Sequence, residues 1–437
     1  MDRSVAIVGA GWAGCAAAVI LIRAGLRVTL FEAARIPGGR ARKVTVEDET
    51  LDNGQHILLG AYRRTLQMMQ EIGVDVEKAF LRLPLQMVYP PAEKAMHLVT
   101  PRWFAPWHLV GGLLRATGLD GADRLALARF FTTCRAIHWD IGQDRPVIKM
   151  LEQFRQTPKL YALLWRPLCL AALNTSPDTA SARTFLAVLR ESLGRKRSAS
   201  DMLIPRMDLS TLFPEKALEY CTRRGAIVRY GLPVRQINTD GKNWIINNRT
   251  DVRFSAVILA TPVTVAASLA AGLADVSALA AFKPEPITTC YLKYPDTVRL
   301  ERPFYALLDY PQRQEWGQYV FDCGHVTPQQ SGLFSVVISA ASFLDGVTRE
   351  EVGCQTSRQL ARCFGQPELK HPLWQHVITE KRATFQSLPG LKRPQNVLDK
   401  RGLLLAGDYV HPEYPATLEA AVSSGIQAAE ILSKRQL

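Results

Sequence analysis

The chain of 437 residues contains no run of eighteen apolar residues, so no membrane-spanning helix is expected in it. It also lacks a CxxC pair, its eight cysteines falling at 15, 134, 169, 221, 290, 323, 354 and 363 with no paired spacing. That argues against a zinc site, any other metal site or a disulfide framework, and implies reduced, mostly buried thiols in a cytosolic protein. Acids are scarce: 53 Lys plus Arg stand against 40 Asp plus Glu, a formal charge of +13. Such an excess suits nucleic acid, an anionic membrane or a phosphorylated ligand. Apart from Arg195-Lys196-Arg197 the bases are scattered and no nucleic-acid-binding motif accompanies them, so no nucleic-acid partner is expected. The start, MDRSVAIVGAG, runs straight into a motif, and no signal peptide is expected. Repeats and low-complexity tracts are absent. What remains, 47% hydrophobic and 21% charged residues, is a globular composition long enough for two domains or one with an insertion.

The motif is SVAIVGAGWAG (4–14), a short apolar strand entering Gly9-Ala10-Gly11-Trp12-Ala13-Gly14. A helix with a small-residue first turn follows, CAAAVILIRAGL, and then a second strand, RVTLFE, ending at Glu32. Dinucleotide binding needs these parts in this order. Glycines form the tight turn and admit the pyrophosphate, a helix N-terminus receives its charge, and an acid accepts from the ribose hydroxyls. An acid at position 32 repels a 2′-phosphate, which disfavours NADP. Ile36-Pro37-Gly38-Gly39-Arg40-Ala41-Arg42 permits another close backbone approach, with an Arg placed to pair with the pyrophosphate or cover a flavin edge. At the far end GLLLAGDYV (402–410) reads as a buried strand closing on Ala406-Gly407-Asp408, and TLEAAVSSGIQAAEIL (417–432) as a helix. Two strand–Gly–acid–helix units suit one elongated cofactor, with Asp408 accepting from ribityl hydroxyls. FAD is the cofactor expected.

These residues, GxGxxG, Glu32, GGRxR and AGD, resemble the flavin amine oxidase and phytoene desaturase superfamily. LDNGQH (51–56), LWRPLCLAALNTSPDTASA (164–182) and YPATLEAAVSSG (414–425) resemble one branch of it. That branch is the squalene-associated FAD-dependent desaturases, the hydroxysqualene dehydroxylases of bacterial squalene and hopanoid synthesis. PRMDLS (205–210) and EKRATF (380–385) extend the likeness nearly end to end. The resemblance implies an α/β fold with a discontinuous, Rossmann-like FAD domain (1–85, 205–275, 391–437) and an α+β substrate domain on an antiparallel sheet (86–204, 276–390). The residues agree. Helical periodicity runs through DRLALARFFTTCRAIHWDIG and KLYALLWRPLCLAAL, whereas ITTCYLKY, FYALLDY, GLFSVVISA and HVITEKRATF alternate as strands. Val234 is then expected against the adenine, or is an ordinary strand valine. The position of the amine oxidases' aromatic cage wall is Thr417, which removes a reason to favour an amine, and Leu418 keeps its backbone N–H for a flavin carbonyl.

LDNGQHILLG (51–60) packs an acid, two amides and an imidazole around one glycine without strand alternation. Gly54 is expected to let the backbone approach the isoalloxazine, with Gln55 and His56 beside it. Asp52 is expected to hold a local turn or orient an Arg. His56 is a hydrogen-bonded neighbour of the flavin or a proton donor, the former carrying more weight. The implied chemistry replaces an allylic C–OH by C–H: an acid assists the departing hydroxide and hydride comes from reduced flavin N5. Candidate donors are His56, Asp52, His411, Tyr414 and Glu419. The implied substrate, a thirty-carbon isoprenoid alcohol, favours lipid over water by roughly 20 kcal/mol at ~0.8 kcal/mol per carbon. A cytoplasmic enzyme bound peripherally to the anionic inner face of the membrane is therefore expected, with squalene-pathway enzymes or a reductase as further partners. PRWFAPWHLVGGLLRATGL (101–119) is an interfacial segment or a core or tunnel-lining helix, and GRKRSAS (194–200) a solvated basic loop or a headgroup contact. Competing readings are a carotenoid-type desaturase, a non-catalytic isoprenoid escort, which the intact cofactor residues oppose, and an amine oxidase.

Overall fold

A computed structural model describes residues 4–194 and 196–434. Its first sheet has six strands in the order Ile227–Arg229, Arg27–Phe31, Ser4–Val8, Ala256–Leu259, Leu403–Leu405 and Val397–Asp399. The first five run parallel and the last antiparallel. Parallel strands are covered on both faces and read as apolar runs, which is why AVIL and LLL carry no alternation and are wholly buried. Helix Trp12–Arg23 packs against the C-terminal helix Leu418–Lys434. The backbones close on each other at Ala13, where a Cβ on Gly425 would stand 2.1 Å from the Ala13 carbonyl oxygen.

The chain between Lys43 and Asp52 forms a two-stranded hairpin whose turn residues, Glu47 and Asp48, have φ of 47° and 65°. Its second strand, Glu49–Asp52, leads directly into LDNGQH. A second sheet is antiparallel throughout, in the order Phe304–Ala306, Tyr319–Asp322, Leu333–Ile338, Pro284–Lys293 and Trp374–Phe385. Helix Arg349–Phe364 covers one of its faces. Helices including Gly121–Ala136, Arg166–Leu173 and Ala182–Leu193 share a core with it through Phe130, Trp165, Phe185, Phe304 and Phe321. Among the described residues no helix is long and apolar enough to cross a membrane, and no group of three His, Cys, Asp or Glu is placed to hold a metal ion.

Candidate active site

The parallel sheet presents two glycine turns side by side. Gly9 sits at φ +105°, where a Cβ would stand 2.5 Å from the Ala260 carbonyl oxygen, and a Cβ on Gly14 would run into the Gly9 carbonyl. Only glycine closes this turn. The Gly38 amide donates to the Ala10 carbonyl at 2.9 Å and Gly11 pairs with Gly38, so GGR lies against GxGxxG as one bed. Trp12 and Ala13, buried in the first helical turn, support it, the Trp12 indole donating to the Ala41 carbonyl at 3.2 Å. No side chain caps that helix, so its first amides point at the bed. Glu32 closes the turn: its carboxylate accepts from the Ala10 amide at 2.7 Å and the Ala34 amide at 2.8 Å. Val234, half-buried, packs against the same apolar cluster as Phe31.

Arg40 and Asp408, expected on different parts of the cofactor, are joined. Arg40 Nη2 donates to Asp408 Oδ2 at 2.8 Å and Nη1 to the Ala383 carbonyl at 2.9 Å. Burial works against the Arg40 charge, but Asp408, with Glu380 and Tyr409, more than offsets it and holds the guanidinium above its ordinary pKa. The Gly407 amide donates to Ser424 Oγ at 2.8 Å, and Thr417 Oγ1 accepts from the Ala420 amide at 3.2 Å as the cap of the helix that begins at Leu418. Beside the pair lies a small cavity lined by Arg40, Pro262, Phe282, Phe385, Asp408 and Tyr409. Thr261 Oγ1, next to the Ala260 carbonyl that crowds Gly9, and the Tyr409 hydroxyl, next to Asp408, are buried without a hydrogen-bond partner. Buried polar atoms are nearly always satisfied, and a polar ligand laid along this bed would supply what these two lack. The residues fit FAD.

LDNGQH is laid across one face of the antiparallel sheet. Asn53 Nδ2 donates to the Arg40 carbonyl at 3.2 Å and to Glu380 at 3.0 Å. The Tyr291 hydroxyl donates to the Asp52 carbonyl at 2.8 Å, and Ser335 Oγ to Gln55 Oε1 at 3.0 Å. A Cβ on Gly54 would lie 3.5 Å from Thr289 Oγ1. The segment is thus the seam between cofactor bed and antiparallel sheet. Polar groups on both sides need partners there, so the alternation of a half-wet strand is lost.

Its titratable groups have distinct settings. Asp52 orients no Arg; its carboxylate accepts from the Leu209 amide at 2.8 Å and tethers the seam to the short helix Leu209–Leu212. Burial, reinforced by Asp208, pushes its pKa up to about 8 against that hydrogen bond. His56 Nδ1 lies 2.7 Å from the Gly54 carbonyl, so it carries the proton and Nε2 is left an acceptor. Burial, with the Arg40 charge added, holds the ring below 6.5. Of the other candidates, Tyr414 stacks on His411 with ring centroids 4.2 Å apart, and His411 Nδ1 accepts from the Tyr414 amide at 3.1 Å. Burial lowers His411 to about 4. Glu419 is not placed as a donor: it accepts from the Arg64 amide, the Thr65 amide and Thr65 Oγ1, at 3.0, 2.9 and 2.7 Å. Sequence reasoning missed Thr289 and Tyr291, though their i, i+2 spacing in a strand was a usable sign of one face. It also missed Arg393, which lies 4.1 Å over the Phe385 ring and which burial lowers to about 10. No local pattern marks it.

A parallel sheet with this glycine bed is a dinucleotide-binding fold, and the likeness to known proteins makes the chain an FAD-dependent oxidoreductase. The chain belongs to the flavin containing amine oxidoreductases, whose family profile matches residues 12–433. It is 31% identical to the hydroxysqualene dehydroxylase of Sinorhizobium fredii, over 99% of this chain and 98% of that protein. To the zeta-carotene desaturase of Synechocystis sp. it is 22% identical, over 99% and 97%. Among solved structures, a triple mutant of putrescine oxidase superposes with a TM-score of 0.71 at 16% identity, covering 99% of both chains, a likeness of fold.

Proposed function

We propose that the protein removes the allylic hydroxyl of hydroxysqualene reductively to give squalene. One observation carries the reading: the end-to-end likeness to a hydroxysqualene dehydroxylase at 31%, against 22% for a carotenoid desaturase. Thr417, where amine oxidases place an aromatic cage wall, supports an apolar chain over an amine. Reduced FAD, when bound, supplies hydride. In balance the substrate's C–O bond breaks, a C–H bond forms with that hydride, and the departing oxygen leaves as water with one added proton.

The chain's part is to hold the hydroxyl and provide that proton. Hydroxide is a poor leaving group, so the acid must be protonated at working pH. On the seam only Asp52 meets that condition, with a pKa near 8, whereas His56 is neutral and presents an acceptor at Nε2. Asp52 is assigned as the proton source and His56 Nε2 as acceptor of the substrate O–H. Asp52→Asn separates proton from tether, because the amide oxygen still accepts from the Leu209 amide.

The test mixes photoreduced holoenzyme anaerobically with hydroxysqualene in detergent. Return of flavin absorbance with squalene formed supports the reading. Bleaching of the oxidised form by squalene or phytoene, with none of that return, overturns it in favour of a desaturase.

A further inference from the structure

The segment 101–119 contains no acid, and the structure turns its apolar residues outward. Helix Trp107–Arg115 buries His108, Gly111 and Gly112, so Trp107, Val110 and Leu114 share the opposite face. Trp103 and Phe104 extend the patch, with Phe104 73% and Leu114 67% exposed. The patch is built rather than loose. A Cβ on Gly111 would stand 2.5 Å from the Trp103 ring, and the Arg115 guanidinium lies 4.8 Å over that ring. A core or tunnel-lining helix would not leave these side chains in water.

The second feature is basic, and the fold brings it alongside. Residues Arg197–Ser200 form a 3-10 turn rather than the free loop expected, with Ser200 Oγ 3.4 Å from His108 Nε2 on the buried side of the same helix. Arg195 lies outside the described residues. Arg197 is engaged by Asp201 at 2.8 Å, whereas Lys196, Arg102 and Arg115 are exposed. A rigid apolar face rich in tryptophan, with Arg102 and Arg115 at its ends and exposed Lys196 on the segment that packs behind the helix, matches the boundary between acyl chains and anionic headgroups. Below this surface Leu113 joins a continuous apolar core that also receives Ile57, the residue after His56.

We propose that residues 101–115, together with Lys196, dock the protein on an anionic lipid bilayer. The surface carries this inference whether or not the substrate reading holds; if both hold, the docked face also admits the substrate. The test is cosedimentation of holoenzyme with vesicles of phosphatidylcholine alone or mixed equally with phosphatidylglycerol, without substrate, so that its failure is independent of turnover.

The expected result is binding to the mixed vesicles that weakens with salt. Phe104→Ser/Leu114→Ser is expected to lower the partition coefficient by roughly tenfold or more through lost apolar burial. Arg102→Glu/Lys196→Glu is expected to abolish the preference for the anionic mixture. Both variants are expected to keep wild-type flavin absorbance and a cooperative unfolding transition, since these side chains lie outside the cofactor bed and are exposed. Wild-type protein that stays in the supernatant overturns the proposal. So does binding unchanged in the serine variant, or concentration-dependent dimerisation lost in that variant, which would assign the face to a second copy.

Discussion

Asp52→Asn tests the least expected property of the site, a carboxyl neutral at physiological pH. Burial moves Asp52 from 3.8 to about 8. The folded protein therefore binds a proton that the unfolded chain has released throughout that interval. The stability contribution is full below the unfolded value, falls as pH rises, and is gone above about 8. Between pH 6 and the folded pKa lie about two units, or ~2.7 kcal/mol at ~1.36 kcal/mol per unit. Asp52 keeps some solvent contact, which screens this to about 1.5–2.5 kcal/mol. Asparagine keeps the acceptor for Leu209 and cannot titrate. Urea unfolding of both holoproteins at pH 6 and pH 9 should show the variant gaining about that much relative to wild type at the higher pH. Titrations of groups not coupled to Asp52 cancel in the difference. A stability difference independent of pH would mean that Asp52 is ionised throughout, and its assignment as proton source would fall with it.

For turnover, the same reasoning predicts a wild-type rate that falls as pH rises through about 8, and an Asp52→Asn rate lowered by roughly a hundredfold or more without that limb. A fall centred below 6.5 would instead point to His56. Arg40→Gln leaves Asp408 buried without its cation; about 3 kcal/mol of stability should be lost, and flavin absorbance should leave the protein on gel filtration. Glu419→Ala strips the acceptor from the amides of Arg64 and Thr65; the urea midpoint should fall by the equivalent of about 2 kcal/mol with the bound-flavin spectrum retained. Gly14→Ala drives a methyl into the Gly9 carbonyl, and flavin should be absent from whatever protein remains folded.

Much of the fold was legible because it is written in local constraints. Buried parallel strands are short apolar runs, the glycine turn admits no side chain, and antiparallel strands alternate. GxGxxG, Glu32 and AGD therefore locate the cofactor bed without coordinates. The seam was legible only as an anomaly. LDNGQH breaks alternation, but that it lies between two sheets follows from Tyr291, Ser335 and Glu380, which are distant in sequence.

By itself, then, the sequence determined the parallel sheet, the place for FAD, the antiparallel strands and the acid-free apolar stretch at 101–119. Tertiary structure decided which groups meet. Asp52 finds the Leu209 amide 157 residues away, and Arg40 finds Asp408 across 368. It also decided which face of Trp107–Arg115 meets water, and that Ser200 contacts its buried side. The physical reason is common to all of these. Backbone turns and side-chain periodicity act over a few residues, whereas burial, and with it the charge state of Asp52 and His56, depends on everything packed around a group.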